Sequence, residues 1–350
     1  MTRDAGALEI DGSHGEGGGQ ILRAALALAV VLRRPVRLTA VRARRPKPGL
    51  QPQHLAVVRA LAAVSGADVR GDALDSTELT FAPTELRAGQ YRFDVGATRG
   101  SAGSVSLLFQ ALLLPLALAG APSRLTLVGG THVPWSPPVP YVTEVFLPAL
   151  EAAGIRARVT LQRLGWYPVG GGEIEVDIEP AAPRCGLLID TPPVAPTEGV
   201  SIVSRLPVSI AERQRARALH RLAAGGAEAR IDVETDMRAA SPGTALFIAV
   251  RGRAGFTALG RRGLPAEAVA DAAVDAWLEW RASGAAIDDH LADQLIPFLA
   301  MAPTPSRVCC QAVTPHLRTV AWLVERFLAA RVHLEDRIPA VVTIEPHPSP

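Results

Sequence analysis

Apolar and polar positions recur along this chain with a period that switches between about 3.6 and 2, as expected of helices interleaved with strands. Residues 19–32 form an apolar run that predicts a helix, and 36–41 predict a strand. Over 54–65 the apolar side chains Leu55, Val58, Leu61 and Ala62 mark one face of a second helix. Short strands follow near Val69 and at 79–81. The same succession returns in 104–180, with a helix to Leu118, a strand at 124–128, a helix at 142–153 and strands at 156–161 and 173–178. A third copy occupies 289–346.

The letters themselves align between copies. Ala121-Pro122-Ser123-Arg124 matches Thr304-Pro305-Ser306-Arg307, and Pro52-Gln53-His54-Leu55 matches Thr314-Pro315-His316-Leu317. The interval is too long for a solenoid of ~20 to 50 residues per repeat. Repeated pairs of helices with a small sheet predict an α/β (α+β) architecture, helices packed on sheet faces. Residues 183–284 break the pattern, and the proline-rich stretch 192–196 near their start favours a boundary. A small inserted α/β domain is expected there, with strands at 200–203, 229–233 and 246–251, a basic helix at 211–224 and a helix at 265–280. The predicted organisation is a body of 1–183 and 285–345 with an insert at 184–284.

Composition narrows the classes of function. At 350 residues the chain can bury a large core, and 48% of it is hydrophobic. Its apolar runs fall short of the ~20 residues a membrane span needs, so no membrane partner is expected. Residues 1–9 hold Arg3, Asp4 and Glu9 without an apolar core, unlike a secretory signal, so a cytoplasmic location is expected. The three cysteines, Cys185, Cys309 and Cys310, suit neither a disulfide framework nor a CxxC metal site. Net charge is only +2, yet no acid lies between Glu16 and Asp68, a stretch holding eight arginines and Lys47. A field of that sign attracts phosphates, although a solvated basic face accounts for it as well. Lys47 is the only lysine in the chain.

Four segments carry candidate chemistry. DGSHGEGGGQ, residues 11–20, follows a short strand and opens the first helix. Glycines admit close backbone approach, and a helix start offers N–H groups to an anion. The segment matches neither a Walker loop nor GxGxxG, and a plain tight turn also explains the glycines. Glu16 alters the balance, since a carboxylate beside a phosphate cradle usually needs a divalent cation between them. RARRPKPGLQPQH, residues 42–54, is a basic loop stiffened by prolines, whose arginine forks suit phosphate and whose Lys47 adds a point charge. In the third copy His290 and Gln294 lie one turn apart, and Asp293 and Gln294 are able to read a base edge or ribose. Polar helix residues are nonetheless commonly just exposed. His316 follows an N-cap residue, Thr314, and a first-turn proline, Pro315, which sets its ring at the positive end of a helix and favours the neutral, nucleophilic imidazole. On position alone a structural histidine is the commoner outcome.

Taken in order, DGSHGEGGGQILR, RARRPKPGLQPQH, SAGSVSLLFQ, GGTHVPWSPP, HLADQL and HLRTVAWLVERFL resemble the RNA 3′-terminal phosphate cyclase family over nearly the whole chain. The resemblance implies three repeated two-helix, four-strand units similar to the C-terminal domain of a translation initiation factor, plus an inserted domain. It also implies an ATP-dependent conversion of an RNA 3′-phosphate into a 2′,3′-cyclic phosphodiester through a histidyl-AMP and an RNA adenylate, with Mg2+ or Mn2+. Carried over by motif, His316 is the nucleophile and Glu16 the metal-linked acid. Gln110, Pro137, His290, Leu291, Ala292, Asp293, Gln294 and Phe256 fall in the nucleotide site. Arg23, Arg42, Arg45, Lys47, Gln53 and His54 fall where RNA or phosphate contacts are expected. The chain departs from the family at His290, where a tyrosine is common, and Phe256, beside Thr257, is the nearest candidate for the aromatic at the adenine.

Three rivals are weaker. Cyclase-like ribosome-assembly proteins lack the nucleophilic histidine, whereas His316 is present here with Glu16 and Asp293. Enolpyruvyl transferases share the repeat architecture, but their motifs and a second set of three repeats are absent. A lysine-dependent ligase would have only Lys47, in a Lys-Pro-Gly context unlike Lys-x-Asp-Gly.

Overall fold

A computed structural model describes residues 6–97, 100 and 102–346. The start of the N-terminal stretch 1–9 and Ser101, which opens SAGSVSLLFQ, lie outside the described residues. The first sheet holds β1 (Leu8–Asp11), β2 (Val36–Thr39), β3 (Asp68–Arg70) and β4 (Leu79–Ala82) in the order β1-β2-β4-β3, with helices α1 (Gly19–Leu32) and α2 (Pro52–Ser65). The β1/β2 pair is parallel, which requires a crossover, and α1 supplies it; the other pairs are antiparallel.

A second sheet, in the order β5-β6-β8-β7, is made of β5 (Gln90–Asp94), β6 (Ser123–Gly129), β7 (Ala157–Arg163) and β8 (Gly172–Ile178). Helix α3 (Val105–Ala117) crosses between its parallel pair β5/β6. The helix expected at 142–153 is interrupted: α4 (Val139–Tyr141) and α5 (Leu147–Ala152) flank a π-helical turn at Val142–Phe146. Strand β8 alternates buried and less buried residues, the period-2 pattern of a sheet with one covered face.

Next come β9 (Leu188–Ile189), β10 (Thr197–Ser204), α6 (Ser209–Ala224), β11 (Ala229–Thr235), β12 (Gly243–Val250), β13 (Ala254–Leu259) and α7 (Ala266–Ser283). Strands β10 to β13 form a sheet of order β11-β10-β12-β13, and α7 packs on it beside α6 around Leu222, Leu246, Val274 and Trp277. The chain closes with α8 (Asp289–Leu299), β14 (Ser306–Cys310), α9 (Pro315–Phe327), β15 (Arg331–Glu335) and β16 (Ala340–Glu345). Their sheet, β15-β16-β14-β9, takes its parallel edge from β9, which lies inside the stretch 184–284. Two residues beside Pro192 and Pro193 leave no period to detect, so sequence patterning passed β9 by.

The fold is thus a mixed α/β one built on four-stranded sheets. Helices α1, α2, α3, α8 and α9 pack together in one core with the inner faces of three of the sheets. Their apolar faces are fully buried at Leu22, Leu26, Leu61, Leu112, Leu295 and Leu323. Burial of such side chains contributes ~1.5 to 3 kcal/mol each, which anchors the polar helix ends that meet at the site. Among the described residues no helix is long and apolar enough to cross a membrane.

Candidate active site

The starts of α1 and α9 meet beside the middle of α8. In the turn before α1, the Asp11 carboxylate accepts the backbone N–H of Ser13 at 2.9 Å and its hydroxyl at 2.7 Å, which fixes the turn geometry. Glu16 then folds back to receive the Arg45 guanidinium at 2.7 Å. A Cβ at Gly18 would lie 2.1 Å from Glu16 Oε1 and 2.7 Å from Arg45 Nη2, so a side chain there would push the two ends of this ion pair from their present positions. Helix α1 has no side-chain cap and no acid in its first turn, which leaves its N–H groups and dipole to an anion.

Across from Glu16, Thr314 caps α9 by accepting the Leu317 N–H at 3.0 Å. With the cap supplied by Thr314, the His316 ring is free to face α1. Its Nε2 stands 3.2 Å from Glu16 Oε2, and its Nδ1 hydrogen-bonds Gln20 Oε1. The Gln20 side chain also neighbours the carboxyl of Asp293. An amide oxygen can only accept, so in this contact Nδ1 carries the imidazole proton and Nε2 keeps its lone pair. Burial holds the His316 pKa below its ordinary value, against the opposing pull of Glu16. The neutral ring is therefore favoured, with Nε2 as the nitrogen that faces Glu16.

Asp293 is 7% exposed, and burial with Asp288 nearby raises its pKa well above the carboxylate range, with Arg23 opposing. The Arg23 guanidinium is itself lowered to about 10 by burial, the charges of Asp293 and Glu16 opposing the fall. Gln20, Arg23, Asp293 and His316 line one cleft of about 730 Å³ together with Gln110, Pro137, Phe256, His290 and Gln294. Gln110 donates to Gln294 across it at 2.5 Å, joining α3 to α8. Asp293 is thus a cleft wall, not the exposed helix residue that its polarity alone allows.

Other expected residues are placed differently. Leu291 and Ala292 are fully buried in the core on the reverse face of α8, so their side chains do not reach the cleft. Arg42 turns onto its own loop and donates to the carbonyls of Lys47 at 2.6 Å and Gly49 at 3.0 Å, shaping the loop that presents Arg45. Lys47 is exposed on that loop. Gln53 accepts the Ser104 N–H at 3.2 Å and so ties α2 to the start of α3. His54 packs on the start of α1, where a Cβ at Gly19 would come within 2.4 Å of its Nε2. Burial, with Arg42 and Arg23 nearby, lowers its pKa to about 3.

Two features were missed in the sequence. Gln20 sits inside a segment read for its glycines and its acid, yet it supplies the contact that orients His316. Asp288, buried at the N-cap of α8, accepts the N–H of Leu291 at 2.7 Å, the Tyr141 hydroxyl at 2.9 Å and the N–H of Gly255 at 2.9 Å. It ties β13 to α8 and so holds Phe256 in the cleft wall, where its ring meets Trp280 at 5.8 Å. An aspartate just before a helix signals the cap, but nothing in the letters signals the other two donors.

The family model described as RNA 3′-terminal phosphate cyclase matches residues 14–334. The chain belongs to that family. A curated RNA 3′-terminal phosphate cyclase of Methylococcus capsulatus is 47% identical over 333 residues, covering 93% of this chain and 92% of that one. Its counterpart from Pyrococcus abyssi is 41% identical over 335 residues, covering 95% and 96%. A solved enolpyruvyl transferase from Streptomyces tendae reaches a TM-score of only 0.27 at 18% identity, over 54% of this chain and 34% of that one, too low to carry weight. The family match includes both helix starts that build the site.

Proposed function

We propose that the chain converts an RNA 3′-phosphate into a 2′,3′-cyclic phosphodiester at the expense of ATP, with His316 as the covalent nucleophile. The observation that carries this reading is the His316 ring itself: Nδ1 is committed to Gln20, while Nε2 faces the cleft beside Glu16, Arg45 and Arg23. In the first step Nε2 attacks the α-phosphorus of ATP, the bond to the bridging oxygen breaks, and pyrophosphate leaves. An oxygen of the RNA 3′-phosphate then attacks the same phosphorus and releases the histidine. In the third step the neighbouring 2′-hydroxyl attacks the 3′-phosphorus and AMP departs. The sequence is chemically sound because a phosphate becomes a useful electrophile only when it carries a good leaving group.

The cleft residues suit these steps. Gln110, Gln294 and Asp293 offer polar edges for the nucleoside, with Pro137 and Phe256 as apolar walls. Arg23, Arg45 and the N–H groups of α1 suit the triphosphate and the RNA phosphate, and His54 supports that surface. Among the described residues no cluster of three or more metal-ligating side chains occurs. A hard cation still fits the chemistry of this site: Glu16, a partly buried carboxylate in the turn before α1, would hold it by oxygen, and triphosphate oxygens would supply its other ligands. Mg2+ or Mn2+ there would offset charge on the polyphosphate.

The same reading extends to the architecture. Three units, similar to the C-terminal domain of a translation initiation factor, would make the body, with an insert between the second and third. Supporting this, all four sheets consist of a parallel pair followed by two antiparallel neighbours, but three of them order their strands first-second-fourth-third along the chain, whereas β11-β10-β12-β13 runs second-first-third-fourth. On this reading β9 belongs to the third unit, and the insert begins after it.

Incubation with ATP labelled at the α-phosphate and Mg2+ or Mn2+ tests the first step. An acid-labile label on the protein, absent from His316→Ala, is the expected result; no label with either metal overturns the reading. RNA ending in a 3′-phosphate should then be cyclised and RNA ending in a 3′-hydroxyl should not. Equal indifference to both would favour a binding protein.

A further inference from the structure

Trp135 is the most exposed aromatic side chain among the described residues, at 99%, and it lines the same cleft as His316 and Asp293. Other exposed apolar residues, such as Val194 and Ile338, lie outside the cleft. Its backbone is also unusual, with φ at +64°, a conformation that a bulky residue adopts only when its surroundings impose it. The surroundings here do so. The N–H groups of Thr131 and His132 are both held by the Gly165 carbonyl, at 2.9 and 3.1 Å, and the Val139 N–H returns to the Thr131 carbonyl at 3.2 Å. Between those anchors the Ser136 hydroxyl donates to the Val133 carbonyl at 3.2 Å, and three prolines stiffen the loop. The loop is pinned at both ends, and its effect is to hold an indole out in solvent at the cleft mouth.

We propose that Trp135 is a stacking platform for a nucleobase at the 3′ end of the RNA, belonging to one of the last two nucleotides. The proposal rests on the reading of the cleft as one that receives RNA 3′-phosphates. An indole face binds any base by stacking, and a rigid platform does so with little ordering cost. The alternative occupant is the adenine of ATP, but the adenine walls are Pro137 and Phe256, and Phe256 is 9% exposed, deep in the cleft. A ring almost wholly in solvent suits a polymer that continues outward from the site. It suits an enclosed mononucleotide poorly. Stacking without hydrogen-bond readout would also make the subsite tolerant of base identity.

The test compares the wild type with Trp135→Ala and Trp135→Tyr. Affinity is measured by anisotropy with short 5′-fluorescein RNAs ending in a 3′-phosphate, either intact or abasic at the last or the penultimate position. Trp135→Ala should weaken binding of intact RNA about 5- to 150-fold, and Trp135→Tyr should recover most of it. At one of the two positions, removing the base should cost the wild type the same factor and the alanine variant nothing further. The KM for ATP in self-adenylation without RNA should stay within about twofold of the wild-type value in both variants. Equal loss in wild type and Trp135→Ala on base removal at both positions overturns the proposal. So does a raised KM for ATP with RNA affinity unchanged, which would assign the ring to adenine. The affinity measurement does not require adenylation, so a wild type that binds RNA but never takes the label overturns the cyclisation reading alone.

Discussion

His54 and His316 open corresponding helices in the aligned letters, yet the two helices are capped one residue apart. In α2 the N-cap is Gln51, which makes His54 the third helical residue; its Nδ1 reaches back to accept the Gln51 N–H at 3.2 Å, and the Gln51 side chain accepts from the His54 backbone. This reciprocal box satisfies two helix-end donors and draws the ring inward. In α9 the N-cap is Thr314, which makes His316 the second helical residue and leaves its ring uncommitted to its own helix. One offset in capping separates a histidine that clasps its own helix from one whose ring is free to face the cleft. Their neighbours sharpen the contrast: His54 faces only the cations Arg42 and Arg23, whereas His316 also has the Glu16 carboxylate beside it.

The largest effect expected is therefore a difference in kind between two alanine variants. His316→Ala should take no AMP from ATP, while His54→Ala should keep the covalent label and lose chiefly in the steps that handle RNA phosphate. Loss of label in both would break the comparison. Next in size is Gln20→Leu, which removes the acceptor that sets the proton on Nδ1. By analogy with groups that orient a reacting ligand from behind, self-adenylation should fall about 10- to 100-fold. Its KM for ATP should change little, since the amide faces the histidine. A rate equal to wild type would mean that the tautomer is set elsewhere.

Much of this comparison was legible in the letters, and its deciding part was not. The helices containing both histidines follow from apolar spacing, and Thr314 and Pro315 announce the start of α9. The clasp at His54 was hidden, because glutamine is a less common cap and a histidine at the third position is an unusual partner for it. Periodicity reports which face of an element is apolar, but not where the far end of a long polar side chain goes. Arg42 and Arg45, three residues apart on one loop, look alike in sequence; one grips backbone carbonyls and the other meets Glu16. Leu291 and Ala292 share a motif with Asp293, but helix rotation turns them into the core. Strand β9 was invisible for a simpler reason, being two residues long.

A smaller effect separates the histidines by proton linkage. Burial lowers the pKa of His54 to about 3, below the ordinary 6.5, so between those values the unfolded chain binds a proton that the folded chain refuses. Stability must then fall as pH drops through that window. His54→Gln removes this share of the slope, which is at most ~1.4 kcal/mol per pH unit for one group. Urea midpoints at pH 7 and pH 4.5 should therefore lie closer together in the variant than in the wild type. The slope should shrink without vanishing, because buried His132 is also lowered to about 3. An unchanged slope would place His54 in contact with solvent and weaken its reading as a clasp.

The smallest effect tests the capping offset itself. Thr314→Ala leaves the Leu317 N–H without its side-chain acceptor and should cost ~1 kcal/mol of stability. For a chain of this size that is a fall of a few degrees at most in Tm. The informative readout is self-adenylation: without Thr314 the first turn of α9 frays, and the His316 ring loses its fixed approach to Gln20 and Glu16. A modest drop in kcat, restored by Thr314→Ser because serine caps in the same way, would tie the nucleophile's freedom to the residue that caps for it. If stability fell but the rate of labelling did not, the ring would be held by Gln20 and Glu16 alone. The difference between the two histidines would then lie in their neighbours, not in their caps.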